Sequence, residues 1–563
     1  MPKPAPHPAL LAQSIGEALA LHRQGRLDEA EKLYARVLKL KRDHFDALHL
    51  LGMLNHQRGK AGEAYRLIAA ALKVDPRSAD ALSNLALVLH ALKRDDEALA
   101  SLGKALALAP GHTDARNNRG NILIDLKRPA EAIVDFDAAL AYAPRHLQAR
   151  INRGNALAAL GQNERAIADY DAALAIAPTH PLAHYNRGNT LRALGREPDA
   201  IAAYERALSA APNHANAWLN RGLALAALNR HREALESYGK VLALQPDHAD
   251  AHFNAALSLL TIGDYRRGFA EYEWRWKRSG MGAPRKFRQP LWLGEIPLAG
   301  RTILLHAEQG LGDTVQFVRY APLLARAGAS VVLEAPPELK PLLAEVEGVA
   351  AVVGRGEPLP PFDLHCPLAS LPLACKTEVS SIPAEIPYLR APAQRMAQWR
   401  SRLEGLASPR IALAWSGQIT HPNDRNRSIA LAQLEPLLSV PGMRFVSVQR
   451  ELRPGEAELL ARDGRIVHLG DELADFADTA AVLALADLTI CVDTSVAHVA
   501  GALGRPTFVL LPFQPDWRWL LERERSPWYP AVTLVRQPAI GDWGSVIERV
   551  RAMLTAGIPG SAA

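Results

Sequence analysis

Small and apolar residues recur on a fixed frame through the first half of the chain. Prolines repeat every 34 residues, at Pro76, Pro110, Pro144, Pro178, Pro212 and Pro246. In the same frame, small residues repeat at Gly52, Ala86, Gly120, Gly154, Gly188, Gly222 and Ala256, and alanines repeat at Ala98, Ala132, Ala166, Ala200 and Ala234. Small side chains permit close contact between helices, and each proline ends a helix. The frame therefore predicts stacked pairs of helices.

Beyond residue 301 the pattern changes to short apolar runs that alternate with amphipathic helices, which indicates doubly wound α/β structure. The apolar runs predict strands of a first lobe at 302–306, 330–334, 351–353 and 362–365. A polar helix at 394–406 separates this lobe from a second one. The predicted strands of the second lobe are 410–415, 445–449, 466–469, 488–492 and 507–511.

The 34-residue period, with several positions in register, resembles the tetratricopeptide repeat. We count seven full units from about 11 to 248 and a partial eighth to about 275. The resemblance implies an all-α superhelix in which the first helix of each pair lines the concave face.

An asparagine stands two positions before six of the small residues, and we call this set the asparagine ladder. Its members are Asn84, Asn118, Asn152, Asn186, Asn220 and Asn254. An amide carries donors and an acceptor, so each can bond the backbone of an extended peptide, or alternatively a neighbouring helix or loop. Four arginines directly follow ladder members and can pair with a partner's acidic groups or form salt bridges with the repeats themselves. These are Arg119, Arg153, Arg187 and Arg221.

Composition narrows the choice of partner and compartment. The net charge of +6 and the pI near 9.1 are spread along the chain without a block of like charges, so no nucleic-acid partner is expected. The three cysteines, Cys366, Cys375 and Cys491, form no Cys-x-x-Cys pair, which favours a reducing compartment. Because no stretch reaches eighteen apolar residues, we expect a soluble cytoplasmic protein without a transmembrane segment.

Two aromatic segments each allow two interpretations. Basic and aromatic residues interleave in "WRWKRSGMGAPRKFRQPLWLGEIPLAG" (274–300), which can bind nucleic acid or dock its tryptophans on the next domain. The run "DWRWLLERERSPWYP" (516–530) can stack on a base or sugar, or pack the end of the chain against the lobes. Docking and packing are the commoner roles, and we predict a linker at 276–300.

Ligands of doubly wound sheets bind at the carboxyl ends of the strands. The residues that follow the predicted second-lobe strands are Ser416, Gly417, Gln449, Gly470, Asp471, Asp493, Thr494 and Ser495. His498 shares a helix face with Thr494, near a positive helix N-terminus where a diphosphate can bind. Asp493 to Ser495 can instead form an N-cap, and His498 can be a core histidine.

Two motifs resemble those of the heptosyltransferase-like glycosyltransferases of family nine. "DTSVAHVAGALGRPT" (493–507) resembles their donor-site motif, and "GLGDTVQFVRYAPLL" (310–324) resembles their N-terminal loop and first helix. The resemblance covers about 301–555 and implies a GT-B fold of two Rossmann-like lobes. It further implies that the first lobe holds the acceptor, that the second holds a nucleotide sugar, and that no metal is required.

The resemblance also implies roles for individual residues. It places the general base at Asp313, with Glu308 as the second candidate, while the alternative for Asp313 is to cap the following helix. Without a metal, Arg425 and Arg427 stabilise the leaving diphosphate, and Arg427 stands where family members commonly have a lysine. Ser416, Gln449, Asp493, Thr494, Ser495 and His498 complete the predicted donor site.

The fold class predicted from these features is an all-α tetratricopeptide superhelix followed by an α/β GT-B fold. The predicted divisions are a tail at 1–10, a repeat solenoid at 11–275, a linker at 276–300, an acceptor lobe at 301–407 and a nucleotide-sugar lobe with closing tail at 408–563. A similar union of repeats and a GT-B domain occurs in the peptide O-GlcNAc transferases.

We therefore predict an inverting glycosyltransferase that needs neither metal nor cofactor. Its donor substrate is a nucleotide-diphosphate sugar, and its repeats, through the asparagine ladder, recruit a polypeptide or another extended acceptor. The alternative is a protein-interaction scaffold whose glycosyltransferase-like domain is inactive. His365, Cys366 and Cys375 lack a second paired cluster and do not predict a metal site.

Overall fold

The computed structural model describes residues 8–280 and 282–558. Residues 1–7 of the predicted N-terminal tail, Met281 of the predicted linker and residues 559–563 of the predicted closing tail lie outside the described residues. The chain divides into two compact units, Met1–Arg221 and Gly222–Ala563.

The first unit is all-helical and consists of helices joined by short turns, which confirms the predicted class for this region. The first helix begins at Pro8, inside the segment predicted as a tail. Its helices are α1 (Pro8–Arg23), α2 (Leu27–Leu40), α3 (Phe45–Gln57), α4 (Ala61–Val74), α5 (Ala79–Ala91), α6 (Asp95–Leu108), α7 (Thr113–Asp125), α8 (Pro129–Tyr142), α9 (Leu147–Ala159), α10 (Asn163–Ile176), α11 (Pro181–Ala193), α12 (Glu197–Ala210) and the start of α13 (Ala215–Ala227).

A histidine or serine begins the odd-numbered helix of most repeats by accepting a backbone hydrogen bond. The Nδ1 atom of His112, for example, accepts from the N–H of Ala115 at 3.2 Å. Such an N-cap satisfies one of the backbone donors that a helix leaves unpaired at its start. The set at 34-residue spacing is His44, Ser78, His112, His146, His180, His214 and His248.

Three recurring glycines of this unit lie where a ring from the paired helix leaves no room for a side chain. A Cβ atom on Gly188 would lie 2.6 Å from Cε1 of Tyr204, and one on Gly154 would lie 2.6 Å from Cε1 of Tyr170. Gly120 has the same relation to Phe136. The predicted close contact between the two helices of a repeat is therefore confirmed in this unit.

The second unit begins with the last repeat helices and continues into two parallel sheets. Its repeat helices after α13 are α14 (His231–Leu244), α15 (Ala249–Thr261) and α16 (Tyr265–Tyr272). The strands are β1 (Thr302–His306), β2 (Ser330–Ala335), β3 (Val349–Gly354), β4 (Leu364–Pro367), β5 (Arg410–Ala414), β6 (Arg444–Ser447), β7 (Ile466–His468), β8 (Leu488–Val492), β9 (Thr507–Leu511) and β10 (Val532–Arg536).

Each sheet belongs to one lobe, as an α/β doubly wound architecture requires. The four-stranded sheet has the order β3-β2-β1-β4 and the six-stranded sheet the order β10-β9-β8-β5-β6-β7, with all pairs parallel. The remaining helices are α17 (Leu311–Phe317), α18 (Ala321–Arg326), α19 (Lys340–Leu343), α20 (Leu371–Ala374), α21 (Ala393–Arg402), α22 (Asp424–Arg427), α23 (Glu435–Leu438), α24 (Glu456–Arg462), α25 (Phe476–Leu485), α26 (Ser495–Ala502) and α27 (Trp543–Ala556).

The predicted strands are all present within a few residues, and β10 is an addition. The sequence pattern after the aromatic run 516–530 does not predict this strand, which spans Val532–Arg536. The segment predicted as a linker docks on the first lobe through Trp292, which is buried and whose N–H donates to the carbonyl of His365 in β4 at 2.8 Å.

We expect Gly188→Ala to lower the midpoint of thermal unfolding, because the new methyl group must displace Tyr204. Overpacking of this kind costs about 1–3 kcal/mol. Gly103→Ala is the matched control in helix α6, since a Cβ there meets nothing within 4 Å. Alanine is the better helix former, so the control should keep or raise the midpoint. Equal midpoints for the two variants would contradict the packing argument.

Candidate functional site

A cavity of about 960 Å³ lies in the second unit, and its walls come from both lobes and from the last repeats. The second lobe contributes Ser416, Gln449 and the turn Asp493–Ser495, and the first lobe contributes Gly310–Asp313. Helix α15 contributes one wall with its polar residues, which are Asn254, Ser258 and Thr261. The cavity therefore brings both sequence motifs and one member of the asparagine ladder to a common space.

The second sheet forms the cavity at its topological switch point. The chain runs from β5 outward to β6 and β7, and then returns to place β8 on the other side of β5. The carboxyl ends of β5 and β8 are therefore adjacent, and Ser416 and Asp493 follow them into the cavity. This is the position at which parallel α/β sheets bind ligands.

The two motifs meet through a contact that only glycine allows. A Cβ atom on Gly312 of α17 would lie 2.7 Å from Cδ2 of His498 in α26. The His498 ring is buried, its Nδ1 atom is 2.9 Å from the Tyr529 hydroxyl, and it stacks on Trp519 at 5.5 Å between centroids. Burial, reinforced by nearby arginines, lowers the pKa of His498 well below its ordinary value, so the ring is neutral. His498 thus has the surroundings of a core histidine while it lines the cavity.

Asp313 lies in the cavity with both carboxylate oxygens engaged. Oδ2 accepts from the N–H of Gly310 at 2.9 Å, which is the capping interaction considered from the sequence. Oδ1 forms an ion pair with Arg518 of the second lobe. The capping role and the location expected of a base are therefore both present in one side chain.

Glu308, the second predicted base, does not line the cavity. Its Oε1 atom lies 3.1 Å from Nη2 of Arg275 and accepts from the N–H of Ala369 at 3.2 Å. Burial raises the pKa of Glu308 to about 7, and the charge of Arg275 opposes this shift. Because Arg275 also pairs with Glu273, Glu308 belongs to a buried network that holds the end of the repeats on the first lobe.

Of the two arginines predicted to bind the donor, one lines the cavity and the other does not. Arg427 lines the cavity, and its Nη1 atom donates to the carbonyl of Asp493 at 3.1 Å. Gly417 permits this position, since a Cβ there would lie 2.6 Å from Nη2 of Arg427. Arg425 is exposed and lies outside the cavity lining. Of these two arginines, Arg427 therefore presents its charge to a ligand in this space and Arg425 does not.

Two hydroxyl groups at the adjacent strand ends are available to a ligand. Within residues 8–280 and 282–558, the buried Oγ of Ser416 and Oγ1 of Thr494 have no hydrogen-bond partner. Both residues line the cavity. A buried polar group without a partner is unfavourable, so a ligand that bonds them recovers this free energy.

Gln449 holds the end of β5 in position. Its Oε1 atom accepts from the N–H groups of Trp415 and Ser416, each at 3.1 Å, and its amide nitrogen donates to the carbonyl of Glu451 at 3.0 Å. Gln449 also lines the cavity, while Gly470 and Asp471, which follow β7, do not. Its side chain therefore acts on a ligand chiefly by orienting Ser416.

The charged cavity residues that follow β9 are not among those predicted from the sequence. Asp516 and Arg518 line the cavity, whereas Trp519, Trp528 and Tyr529 of the same segment are buried as packing residues. Burial, followed by the charge of Asp516, raises the pKa of Asp493 above its ordinary value. The rule applied to the other strand ends, continued to the carboxyl end of β9, would have pointed to residues 512–518.

Five ladder asparagines donate from their amide nitrogens to the preceding repeat, at distances of 2.8–3.1 Å. The pairs are Asn84 with His49, Asn118 with Ser83, Asn152 with Asn117, Asn186 with Asn155, and Asn220 with Asn189. Each of these bonds uses one N–H donor of the amide. Asn220 also donates to the Tyr185 hydroxyl at 3.3 Å, and the amide oxygen of Asn152 accepts from Gln148 at 3.0 Å. These five asparagines therefore bond to a neighbouring helix, which is the alternative considered from the sequence. Some of their amide atoms remain available to a bound peptide.

Asn254 differs from the other ladder members. The positions 35 and 31 residues before it are Leu219 and Leu223, where the other repeats provide polar acceptors. Among the described residues, its side chain has no hydrogen-bond partner, and it lines the cavity. The one ladder member at the candidate site is thus the one whose amide is uncommitted in this part of the chain.

The arginines that follow the ladder form salt bridges with acidic residues of the repeats. The contacts are Arg119 with Asp135, Arg153 with Asp169 and Asp137, Arg187 with Asp171, and Arg221 with Glu205, at 2.5–2.8 Å. These four arginines therefore form salt bridges within the repeats, which is the second of the two roles considered from the sequence.

Comparisons with known families and proteins bear on both halves of the chain. Residues 154–195 match "TPR repeat", and 96–137, 185–238 and 225–284 match "Tetratricopeptide repeat". Residues 23–105 match "Anaphase-promoting complex, cyclosome, subunit 3". Residues 458–513 match "Glycosyltransferase family 9 (heptosyltransferase)". This last segment includes Asp493 to His498 but not the loop that carries Asp313.

The chain is similar to Protein FlbA of Caulobacter vibrioides, with 28% identity over 313 residues that make up 51% of this chain and 52% of FlbA. It therefore spans about half the length of this curated relative. Among solved structures, it is similar to PilW, a type IV pilus biogenesis factor, with 29% identity over 37% of this chain and 96% of PilW and a TM-score of 0.35. YrrB, a TPR protein with an unusual peptide-binding site, has 26% identity over 33% of this chain and 95% of YrrB, with a TM-score of 0.29.

These matches confirm the resemblance to tetratricopeptide repeats and to glycosyltransferase family nine. The chain contains tetratricopeptide repeats and a segment that matches glycosyltransferase family 9. No helix in residues 8–280 and 282–558 is both long and apolar enough to cross a membrane. Across the same residues, no group of three or more His, Cys, Asp or Glu side chains is arranged to hold a metal ion.

We expect Asn186→Ala to lower the midpoint of thermal unfolding, because it removes the 2.8 Å bond to Asn155. The net loss for one such hydrogen bond is about 0.5–1.5 kcal/mol. Asn254→Ala is the matched change at a ladder position without a described partner and should leave the midpoint unchanged or slightly higher. A larger loss for Asn254→Ala than for Asn186→Ala would refute this division of the ladder.

Proposed function

We propose that the second unit transfers a sugar from a nucleotide-diphosphate donor to a polypeptide or another extended acceptor that the repeats recruit. The observation that carries the proposal is the shared cavity, in which the strand ends of the β5–β8 switch point face the Gly310–Asp313 loop of the other lobe. A transferase with two substrates needs such a space between a donor site and a base.

The donor site is the end of the second sheet. Arg427 and the N-terminus of α26 supply positive charge for the phosphates. The hydroxyls of Ser416 and Thr494 supply hydrogen-bond donors that have no other partner in the described chain. Because fixed charges and dipoles require no rearrangement during reaction, they stabilise the departing nucleotide diphosphate as negative charge develops on it.

The transfer step follows from this arrangement. Asp313 accepts the proton of an acceptor hydroxyl while that oxygen bonds to the anomeric carbon. The bond from this carbon to the phosphate oxygen breaks on the opposite face, and its electrons leave with the nucleotide diphosphate. The configuration of the sugar is inverted, and Arg427 and helix α26 compensate the charge of the leaving group. General-base assistance of this kind typically contributes about 10²–10⁴ in rate.

The acceptor enters along α15. Asn254, Ser258 and Thr261 give that wall of the cavity polar side chains on one helix. The uncommitted amide of Asn254 can bond both a carbonyl and an N–H group of an extended chain, which makes recognition independent of side chains. The ladder members of the first unit bind an extended acceptor through the amide atoms that their bonds to the preceding repeat leave free.

The rival function is a scaffold that binds partners but no nucleotide sugar, and thermal shifts of the full-length protein distinguish the two. We expect a specific nucleoside-diphosphate sugar to raise the melting temperature, because a ligand at 100 times its Kd stabilises by about 2.7 kcal/mol. Arg427→Ala should remove this shift. Arg425→Ala deletes the same charge outside the cavity and should retain it. A panel that yields no shift at all would favour the scaffold.

Asp313→Asn should lower kcat by at least about tenfold while donor binding persists, because the substitution removes the proton acceptor but keeps the shape. Steady-state kinetics of transfer or donor hydrolysis, beside a melting curve, provide the measurement. Asp493→Asn is the companion variant, since Asp493 is a second cavity carboxylate and directly follows β8 at the donor site. Undiminished turnover in Asp313→Asn with loss in Asp493→Asn would move the base to Asp493.

A further inference from the structure

Arg518 lines the cavity and connects the two lobes. Its side chain is 9% exposed, and it forms ion pairs with Asp313 of the first lobe and, at 2.9 Å, with Asp516 of its own segment. Its Nε atom donates to Oε1 of Gln316 in α17, and its guanidinium lies 4.4 Å from the centroid of the Trp517 ring. These contacts fix the guanidinium plane beside the carboxylate proposed as the base.

An anion that enters the cavity competes with the carboxylates that pair with Arg518. Guanidinium groups bind carboxylates and phosphates with the same forked geometry. Arg518 faces two carboxylates, so one unit of negative charge in the group Asp313–Arg518–Asp516 remains uncompensated within it. Asp313, Asp516 and Gln316 each occupy one nitrogen of Arg518, so a phosphate that takes the Nη2 hydrogen held by Asp313 displaces that carboxylate.

We propose that Arg518 is a positioning residue that holds either Asp313 or a donor phosphate, so that binding of the phosphate releases Asp313. This inference rests on the proposed function, because it assigns the phosphate to the donor. While Arg518 holds Asp313, the Oδ1 atom of this carboxylate is occupied, and release frees Oδ1 to accept the proton of an acceptor hydroxyl. Asp313 is therefore available as a base only after the donor has bound, and the order of binding becomes donor before acceptor.

The competition can be measured without turnover, with pyrophosphate as the probe and the full-length protein in a calorimeter. We expect Asp313→Asn to tighten pyrophosphate binding by at least about fivefold, the low end of typical coupling between competing sites. Glu338→Gln is the matched control, because Glu338 also lines the cavity and carries the same charge but does not pair with Arg518. Its effect should be under about twofold, as expected for an exposed charge screened by salt.

A double-mutant cycle isolates the role of Arg518. In an Arg518→Gln background, Asp313→Asn should have no greater effect than Glu338→Gln, because the shared cation is gone. If melting shows that Arg518→Gln does not fold, Arg518→Lys serves instead, since lysine keeps the charge and loses the forked geometry, and the effect of Asp313→Asn should shrink.

The outcomes separate this inference from the function on which it rests. If the unsubstituted protein binds neither pyrophosphate nor any nucleotide sugar, the donor site and the inference both fail. If pyrophosphate binds and Asp313→Asn matches Glu338→Gln, the inference alone is overturned. An equally large effect of Asp313→Asn with and without Arg518 also overturns it, because Asp313 would then repel the anion directly.

Discussion

The second unit depends on the contact between Gly312 and His498, where helices α17 and α26 approach one another. A side chain on Gly312 would meet the His498 ring at 2.7 Å, so the first lobe can present its loop to the donor motif only with glycine at this position. The ring cannot move aside, because Trp519 stacks on it and the Tyr529 hydroxyl bonds it. Asp313, one residue beyond the glycine, thereby reaches the second lobe and pairs with Arg518.

Near this contact, the charged groups of the first-lobe side are paired within the protein, whereas, in the described chain, polar groups of the second-lobe side are not. Asp313 forms an ion pair with Arg518, and Glu308 forms an ion pair with Arg275 in a separate buried network. By contrast, the hydroxyls of Ser416 and Thr494 are buried beside Arg427 and have no partner in the described residues. Because unpaired buried polar groups are unfavourable, the site favours a ligand with several oxygen atoms on the second-lobe side.

The repeats use one frame position for two purposes. In most repeats the ladder asparagine donates to the preceding repeat, so an amide that resembles a peptide-binding device also stabilises the stack. Before the repeat that carries Asn254, leucines occupy the two positions that would hold the acceptor, and Asn254 lines the cavity. Among the described residues, Asn254 therefore differs from the other ladder members in that it lines the candidate site and makes no bond to the preceding repeat.

The sequence by itself determined the helix pairs, the strand positions and the residues at the ends of β5 and β8, because these follow from local periodicity and from one rule about parallel sheets. It also identified Asp313, Arg427 and Asn254 as candidates. Tertiary structure decided which of the candidates meet. Arg518 joins Asp313 across 205 positions of the chain, while Arg425, two residues from Arg427, points away from the cavity. Sequence periodicity reports which residues are neighbours within a helix or strand. Contacts such as that between Arg518 and Asp313 depend instead on how segments distant in the sequence pack.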